Sequence, residues 1–296
     1  MCYNIGEVIL MAKFETFLAK IDDLERSKFY EPRKKDLKPV VDAMQELYAK
    51  DEIEKLFVAL PLGGVGKSYL ALLYALFCAV SKPNFRVLML VTSERFGGSN
   101  LESLLWLLDK GKSGIFKKYR WWYSQEEGKV EICKRGSRST IYISTLNAFE
   151  KHYYEAKPFD IIVSDDISRS TKNGIYAEEK ELMGINEKYE LLSILLKPGG
   201  KEMHICSRID LNDLFGWAQR CFGSNKNTKF ISIPLINDDG TVNFECSYSP
   251  EMHEKMKYEL RGDKYEAVIL GKPNDDWKTF NEYIKLHPDC IKKRKG

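Results

Sequence analysis

The sequence predicts an α/β fold: a mostly parallel central sheet with helices on both faces, and a small C-terminal lid or linker. Three observations carry that expectation. Short apolar runs alternate with helix-length segments between residues 51 and 234. These runs are continuously apolar, which suits strands buried on both faces of a parallel sheet. One of them, Leu56-Phe57-Val58-Ala59-Leu60, leads through a glycine-rich loop into a helical segment from Tyr69 to Val80.

Residues 1–50 read as a charged helical segment, broken near Tyr30-Glu31-Pro32. Phe14, Phe17, Leu18 and Ile21 recur at helical spacing, as do Val40, Ala43, Met44 and Leu47, so each set predicts a packing face. Residues 51–234 form the α/β core. Its further strands are Arg86–Val91, Ile161–Ser164, Met203–Cys206 and Ile231–Leu235. Val130–Cys133 and Thr140–Ser144 flank Lys134-Arg135-Gly136-Ser137, which reads as a hairpin with a basic turn. Residues 235–296 form the lid or linker, with a turn at Asp238-Asp239-Gly240 and a helix over 250–262.

Bulk composition excludes several classes. Of the 296 residues, 44% are hydrophobic and 30% charged, an ordinary globular profile. A net charge of +3 is too small to imply nucleic-acid binding, so any such contact must rest on local patches. Cys2, Cys78, Cys133, Cys206, Cys221, Cys246 and Cys290 form no C-x-x-C pair and read as reduced thiols, with no zinc site. His204 lies in an apolar run and reads as a structural residue. Val8–Ala12 is too short to span a bilayer, so no membrane partner is expected. Met11 offers an alternative start.

The chemistry starts at Pro61-Leu62-Gly63-Gly64-Val65-Gly66-Lys67-Ser68. A strand, a glycine-rich loop, Gly-Lys-Ser and a helix make a phosphate cradle, in which loop N–H groups and the helix N-terminus face the anion. ATP is the expected ligand, touched by Gly63, Gly64, Val65, Gly66, Lys67, Ser68 and Tyr69. Lys67 would reach the β/γ-phosphates, and the Ser68 hydroxyl would ligate Mg²⁺. Pro61 stands where the consensus has Gly.

A second element supports the first. Phe159-Asp160-Ile161-Ile162-Val163-Ser164-Asp165-Asp166 is an apolar strand ending in two carboxylates, the layout of a Walker B motif. Asp165 would hold the metal and Asp166 would orient and deprotonate the attacking water. An acidic turn is the plainer reading of such a pair on its own.

The third element is Lys197-Pro198-Gly199-Gly200-Lys201, a strand, then Ser207-Arg208-Ile209-Asp210-Leu211-Asn212-Asp213-Leu214-Phe215-Gly216. It resembles the ATPase half of viral large terminase subunits, where the segment looks like P-G-G, a strand, then T-R-W-x-x-x-D-L-x-G. Ser207 replaces the usual Thr and Ile209 the usual Trp. Similarity continues through Lys229–Pro234, Asp239-Gly240, Lys264-Tyr265-Glu266 and Gly271-Lys272-Pro273, and so runs from about residue 50 to about residue 277.

The resemblance implies a P-loop NTPase of the ASCE type: a Mg²⁺-dependent ATPase that drives double-stranded DNA, without sequence preference, into a procapsid. It also implies a portal protein and a small terminase subunit as partners, a homo-oligomeric ring on the capsid, and work in the host cytoplasm. Many family members carry an arginine within the phosphate loop, and this chain has none. Arg208 or Arg95 would supply the cation that faces the γ-phosphate, unless each is a surface ion pair. Ser207 would belong to a motif coupling nucleotide state to a moving subdomain, or else cap a helix. Large terminases also carry an RNase H-like nuclease domain. The stretch after Trp277 is too short for one, and Asp275-Asp276 reads as a turn, so no DNA cleavage is expected.

Lys117-Lys118-Tyr119-Arg120-Trp121-Trp122-Tyr123 and Lys134-Arg135-Gly136-Ser137-Arg138 suit a DNA backbone, or a packing cluster and a solvated hairpin tip; the Lys292–Lys295 tail is a weaker candidate. Three rival readings exist, one of them a non-enzymatic P-loop scaffold, if Asp166 is one methylene too short to activate water. A signalling switch of the NB-ARC type shares Gly-Gly-Val-Gly-Lys, an apolar run before Asp-Asp, and Ser-Arg after a strand, yet gives no role to Pro198-Gly199-Gly200 or to Asp213–Gly216. A partitioning ATPase would need Lys where this chain has Leu62.

Overall fold

Eight strands form one sheet: β1 (Lys55–Ala59), β2 (Arg86–Val91), β3 (Arg120–Ser124), β4 (Lys129–Lys134), β5 (Ser137–Thr145), β6 (Phe159–Asp165), β7 (Leu196–Cys206) and β8 (Thr228–Ser232). The structure, a computed structural model, describes residues 13–148, 158–168, 179–249, 251–252, 255–256 and 263–273. The readings of Val8–Ala12, Met11, Asp275-Asp276 and Lys292–Lys295 lie outside these residues, as does most of the expected helix over 250–262.

The strand order is β3-β4-β5-β2-β6-β7-β1-β8. From β5 to β8 every neighbouring pair is parallel. The β3-β4 and β4-β5 pairs are antiparallel. The predicted hairpin is present, and its turn residues Arg135 (φ 49°) and Gly136 (φ 83°) are both left-handed, as a two-residue turn matching strand twist requires.

Alternation of side chains sorts the strands between two cores. Leu56, Val58, Val87, Met89 and Val91 join one; Phe57, Ala59, Leu88 and Leu90 join the other. The first core is covered by α1 (Phe14–Asp22), α2 (Lys34–Ala49), α3 (Lys67–Ser81) and α4 (Glu94–Lys110). The second is covered by α5 (Glu179–Glu190) and α6 (Leu214–Phe222). The fold is thus α/β with helices on both faces of a mostly parallel sheet. Both predicted N-terminal stripes are fully buried in the first core. Helix α3 is apolar almost all round because α1 packs on it opposite the sheet, with Phe14 5.1 Å from Phe77, centroid to centroid.

Two elements differ from expectation. Strand β7 begins earlier than the sequence suggests and runs through Pro198-Gly199-Gly200 as an irregularity. Its pairing with β6 jumps from Phe159↔Leu196 to Ile161↔Lys201, and Gly199 takes φ 73°. The Trp121-Trp122-Tyr123 run is an edge strand, β3, with Trp122 and Tyr123 exposed. Among the described residues no helix is long and apolar enough to cross a membrane.

Candidate functional site

Strand β1 ends at Ala59, and the chain then turns through the glycine-rich loop. Gly63, Gly64 and Gly66 have φ of 78°, 54° and 85°. Such a left-handed run would strain side-chain-bearing residues, so the glycines are what this backbone needs. A Cβ on Gly66 would lie 2.3 Å from the Phe29 ring, so that position is closed sterically too. Val65 is fully buried, while Gly63, Gly64 and Ser68 are exposed. Helix α3 starts at Lys67, which points the free N–H groups of its first turn at the loop. The Lys67 ammonium is nearly buried and donates to the Pro61 carbonyl at 2.6 Å. The Tyr69 hydroxyl bonds Glu25, and its ring meets Phe29 edge-on at 5.0 Å.

Two aromatic residues grip the loop. Phe29 is set by Asp22, whose carboxylate accepts from the N–H groups of Phe29, Tyr30 and Glu31. The Tyr248 hydroxyl lies 2.6 Å from the Leu62 carbonyl oxygen and 2.8 Å from that of Gly63. Burial raises the Tyr248 pKa, which keeps the phenol a donor.

Strand β6 delivers Asp165 and Asp166 to the same edge of the sheet. Asp165 is buried, at 3% exposure. Asp166 is left-handed, with φ 51°, a conformation that costs a non-glycine residue about 1 kcal/mol. Four contacts hold it there. Its N–H donates to the Ile205 carbonyl at 2.8 Å, and Thr92 Oγ1 donates to its own carbonyl at 2.9 Å. Its carboxylate accepts from the Ser207 N–H at 3.1 Å and from Ser207 Oγ at 3.4 Å. The helix-cap reading of Ser207 is therefore corrected: its side chain faces Asp166. The cap of α6 is Asp213, which accepts from the Gly216 N–H at 2.8 Å.

Asp213 also organises the segment around it. It is fully buried and accepts from Arg208 Nε at 3.1 Å and from the N–H groups of Ile209 and Asp210. Arg208 lies 5.0 Å over the Phe215 ring. A Cβ on Gly216 would meet the Leu211 carbonyl oxygen at 2.2 Å and Arg208 Nη2 at 3.0 Å. Arg208, Asp213, Phe215 and Gly216 are thus one unit, and the surface ion pair that the sequence allowed for Arg208 is instead largely shielded, with 11% of its side chain exposed. Arg208 lines a small cleft with Leu60 and Pro61. Arg95 is exposed in the first turn of α4.

Contacts bring these groups to the C-terminal edge of the sheet. Lys67 donates to the Pro61 carbonyl, Arg208 lines a cleft with Pro61, and Asp166 is bonded to Ser207, the residue before Arg208. The Cys206 thiol beside them is buried at the end of β7, between β6 and β1, and burial pushes its pKa up. The donors fit Mg²⁺ held against a nucleotide: a hydroxyl and a carboxylate are hard oxygens, and Mg²⁺ usually takes one or two carboxylates and completes its shell with phosphate and water.

No protein-family model and no curated protein matches the chain. Solved structures do. The large terminase of a thermophilic bacteriophage, in complex with ATP-gamma-S, aligns with a TM-score of 0.53 at 14% identity, over 78% of this chain and 51% of that one. The bacteriophage HK97 large terminase gives 0.52 at 10% identity, over 76% and 48%. The ATPase domain of the Thermus phage P74-26 large terminase gives 0.50 at 10% identity, over 74% and 88%. The fold is that of phage large-terminase ATPase domains. The chain spans about half the length of the first two terminases.

The terminase-like segment and the loop were visible in the sequence; Phe29 and Tyr248 were not, since nothing in their local pattern points at the loop. A second polar cluster was also missed. His204 is structural, as expected, yet fully partnered. Its Nε2–H donates to Glu202 at 3.1 Å, and its Nδ1 accepts from Ser164 Oγ at 2.7 Å. Glu202 further accepts from Lys55 Nζ at 2.8 Å and Tyr189 Oη at 2.6 Å.

Proposed function

We propose that the chain hydrolyses ATP to drive double-stranded DNA into a procapsid, as the motor half of a terminase large subunit. The observation that carries this is a loop whose backbone suits phosphate, with Lys67 bonded to its Pro61 carbonyl, Arg208 in a cleft with Pro61, and Asp166 bonded to Ser207 next to Arg208. Gly63 to Ser68 would bind the phosphates, with Tyr69 following, and Lys67 would neutralise the β/γ-oxygens. Ser68 and Asp165 would hold Mg²⁺, which when bound offsets phosphate charge. Asp166 would accept a proton from the attacking water, and Arg208 would stabilise charge developing on the transferred phosphoryl group. Ser207, bonded to that carboxylate, would relay nucleotide state.

DNA contact is proposed for the β3–β5 face. There Arg138 lies 5.1 Å over the exposed Trp122 ring, on the same face as Arg120. This pairs phosphate-binding charge with an apolar platform. Ring assembly on a portal, a small-subunit partner and a host-cytoplasmic setting follow from the same reading.

The test is steady-state ATP turnover with and without duplex DNA. Repeated turnover stimulated by DNA, abolished in Lys67→Ala and unstimulated in Arg138→Glu, is the expected result. Nucleotide that stays bound through purification, with no steady turnover, would instead select the NB-ARC-type switch.

A further inference from the structure

We propose that Tyr248 is a positioning residue that holds the phosphate loop in its anion-binding shape, so that the segment carrying it sets nucleotide affinity. The inference rests on the reading of the loop as a nucleotide site. Its basis is the direction of the peptide planes. In a trans peptide the N–H points opposite the carbonyl of the preceding residue. The Tyr248 hydroxyl shares its proton between the carbonyls of Leu62 and Gly63, and so turns the N–H groups of Gly63 and Gly64 away from the ring. Successive N–H groups presented in this way by left-handed residues form an anion-binding nest.

The ring backs up the bond. Tyr248 also lies along the two glycines: a Cβ placed on Gly63 or Gly64 would stand 3.4 Å or 3.5 Å from it, in ordinary contact. Glycines move freely between backbone states, and a loop of three left-handed ones needs an external support to stay in one of them. Gly66 has its support in Phe29. Gly63 and Gly64 have theirs in Tyr248.

Tyr248 is itself anchored, and to the same N-terminal elements. The Phe244 N–H donates to Asp36 at 2.8 Å, and Arg33 Nη2 donates to Ser247 Oγ at 3.0 Å. Arg33 Nη1 also donates to the Phe29 carbonyl at 2.9 Å. Arg33 thus ties Phe29 to Ser247, the chain neighbour of Tyr248. A displacement of the 244–248 segment would release the Gly63 and Gly64 amides, whatever moves it.

The experiment compares the parent chain with Tyr248→Phe, which keeps the ring and removes the hydroxyl. Mg·ADP affinity is measured by calorimetry, ATP turnover by steady-state kinetics, and amide exchange at Gly63 and Gly64 by hydrogen–deuterium exchange. Expected are a Kd and KM raised about three- to tenfold, the worth of one hydrogen bond, with kcat unchanged, faster exchange at the two glycines and an unchanged melting temperature. Parent-like affinity and exchange in Tyr248→Phe would overturn the proposal, and so would tighter binding. A parent chain that binds no nucleotide would instead overturn the reading on which the proposal rests.

Discussion

Two polar clusters lie on the same three strands and obey opposite rules. At the strand ends, Asp166 is bonded to Ser207, and Arg208 and Lys67 both lie against Pro61 of the phosphate loop, with Asp166 in a left-handed conformation. Further back along β1, β6 and β7, Lys55, Ser164, Glu202 and His204 meet Tyr189 of α5, with Ser164, Glu202, His204 and Tyr189 each at most 2% exposed. Burial alone would raise the Glu202 carboxyl, but hydrogen bonds and charge from His204 and Lys55 overcome it and hold the pKa down to about 2. Burial lowers the His204 pKa against the pull of Glu202, so the ring is neutral. A serine, a histidine and a glutamate in a hydrogen-bonded row suggest a hydrolase triad at first sight. Closed off between sheet and helix, this row reaches no substrate and serves the fold. The contrast is between a cluster at the strand ends that lies beside the exposed Gly63, Gly64 and Ser68 and one that is satisfied and closed inside the sheet.

Three sets of variants would break or sharpen that contrast. Asp166→Asn should have the largest effect on function and almost none on folding. Turnover should fall about 10²- to 10⁴-fold, while the melting point moves by no more than about 2 °C, because Asn tolerates the left-handed backbone and can still accept from Ser207. A variant that both melts early and turns over slowly would erase the distinction.

Glu202→Ala should do the reverse. It leaves a half-buried lysine and a buried histidine without their acceptor, and breaking a buried pair costs about 3–5 kcal/mol, whereas nucleotide affinity per folded molecule should hold. The pH dependence follows with a definite sign. Glu202 sits at about 2 in the folded chain against its ordinary 4.5, and His204 below its ordinary 6.5. As pH falls the unfolded chain therefore takes up these protons first. The network's contribution to stability is full above about pH 6.5 and declines as pH drops towards 2. Denaturant titrations of the parent and of Glu202→Gln across that window check it; an equally steep acid limb in Glu202→Gln would show that the network does not govern it. The smallest effect belongs to Ser207→Ala. It removes the 3.4 Å contact and leaves the backbone N–H on Asp166, so turnover should fall about tenfold or less; a loss as deep as that of Asp166→Asn would make Ser207 more than a support.

Much of this was legible in the chain itself, where the signal is local. Continuous apolar runs marked the parallel strands, and Gly-Lys-Ser after one of them marked the loop. The hairpin turn was marked by Arg135-Gly136. What escaped was carried by contacts distant in sequence. Tyr248 and Phe29 reach the loop from opposite ends of the described chain, and the pattern around each is that of ordinary packing. Ser207 looked like a cap because a serine after a strand often is one; Asp213 does that work, and only the pairing of β6 with β7 brings Ser207 to Asp166. Glu202 and His204 lie two apart on one face of β7, but Ser164 and Lys55 come from other strands. Strand β3 was hidden because an edge strand exposes both faces, so Trp122 and Tyr123 break the alternation that betrays strands.

The carbonyl at Pro61 has a bearing on the working cycle. Proline in the consensus glycine's place contributes no N–H, yet its oxygen receives the Lys67 ammonium. A nearly buried cation stripped of its anion would ordinarily resist that loss, since an unpartnered charge in such a place is costly. Here the lysine keeps a hydrogen-bond acceptor inside its own loop. On the proposed reading, departure of a product phosphate would exchange one acceptor for another, which would favour a site that empties quickly and resets over one that holds what it has made.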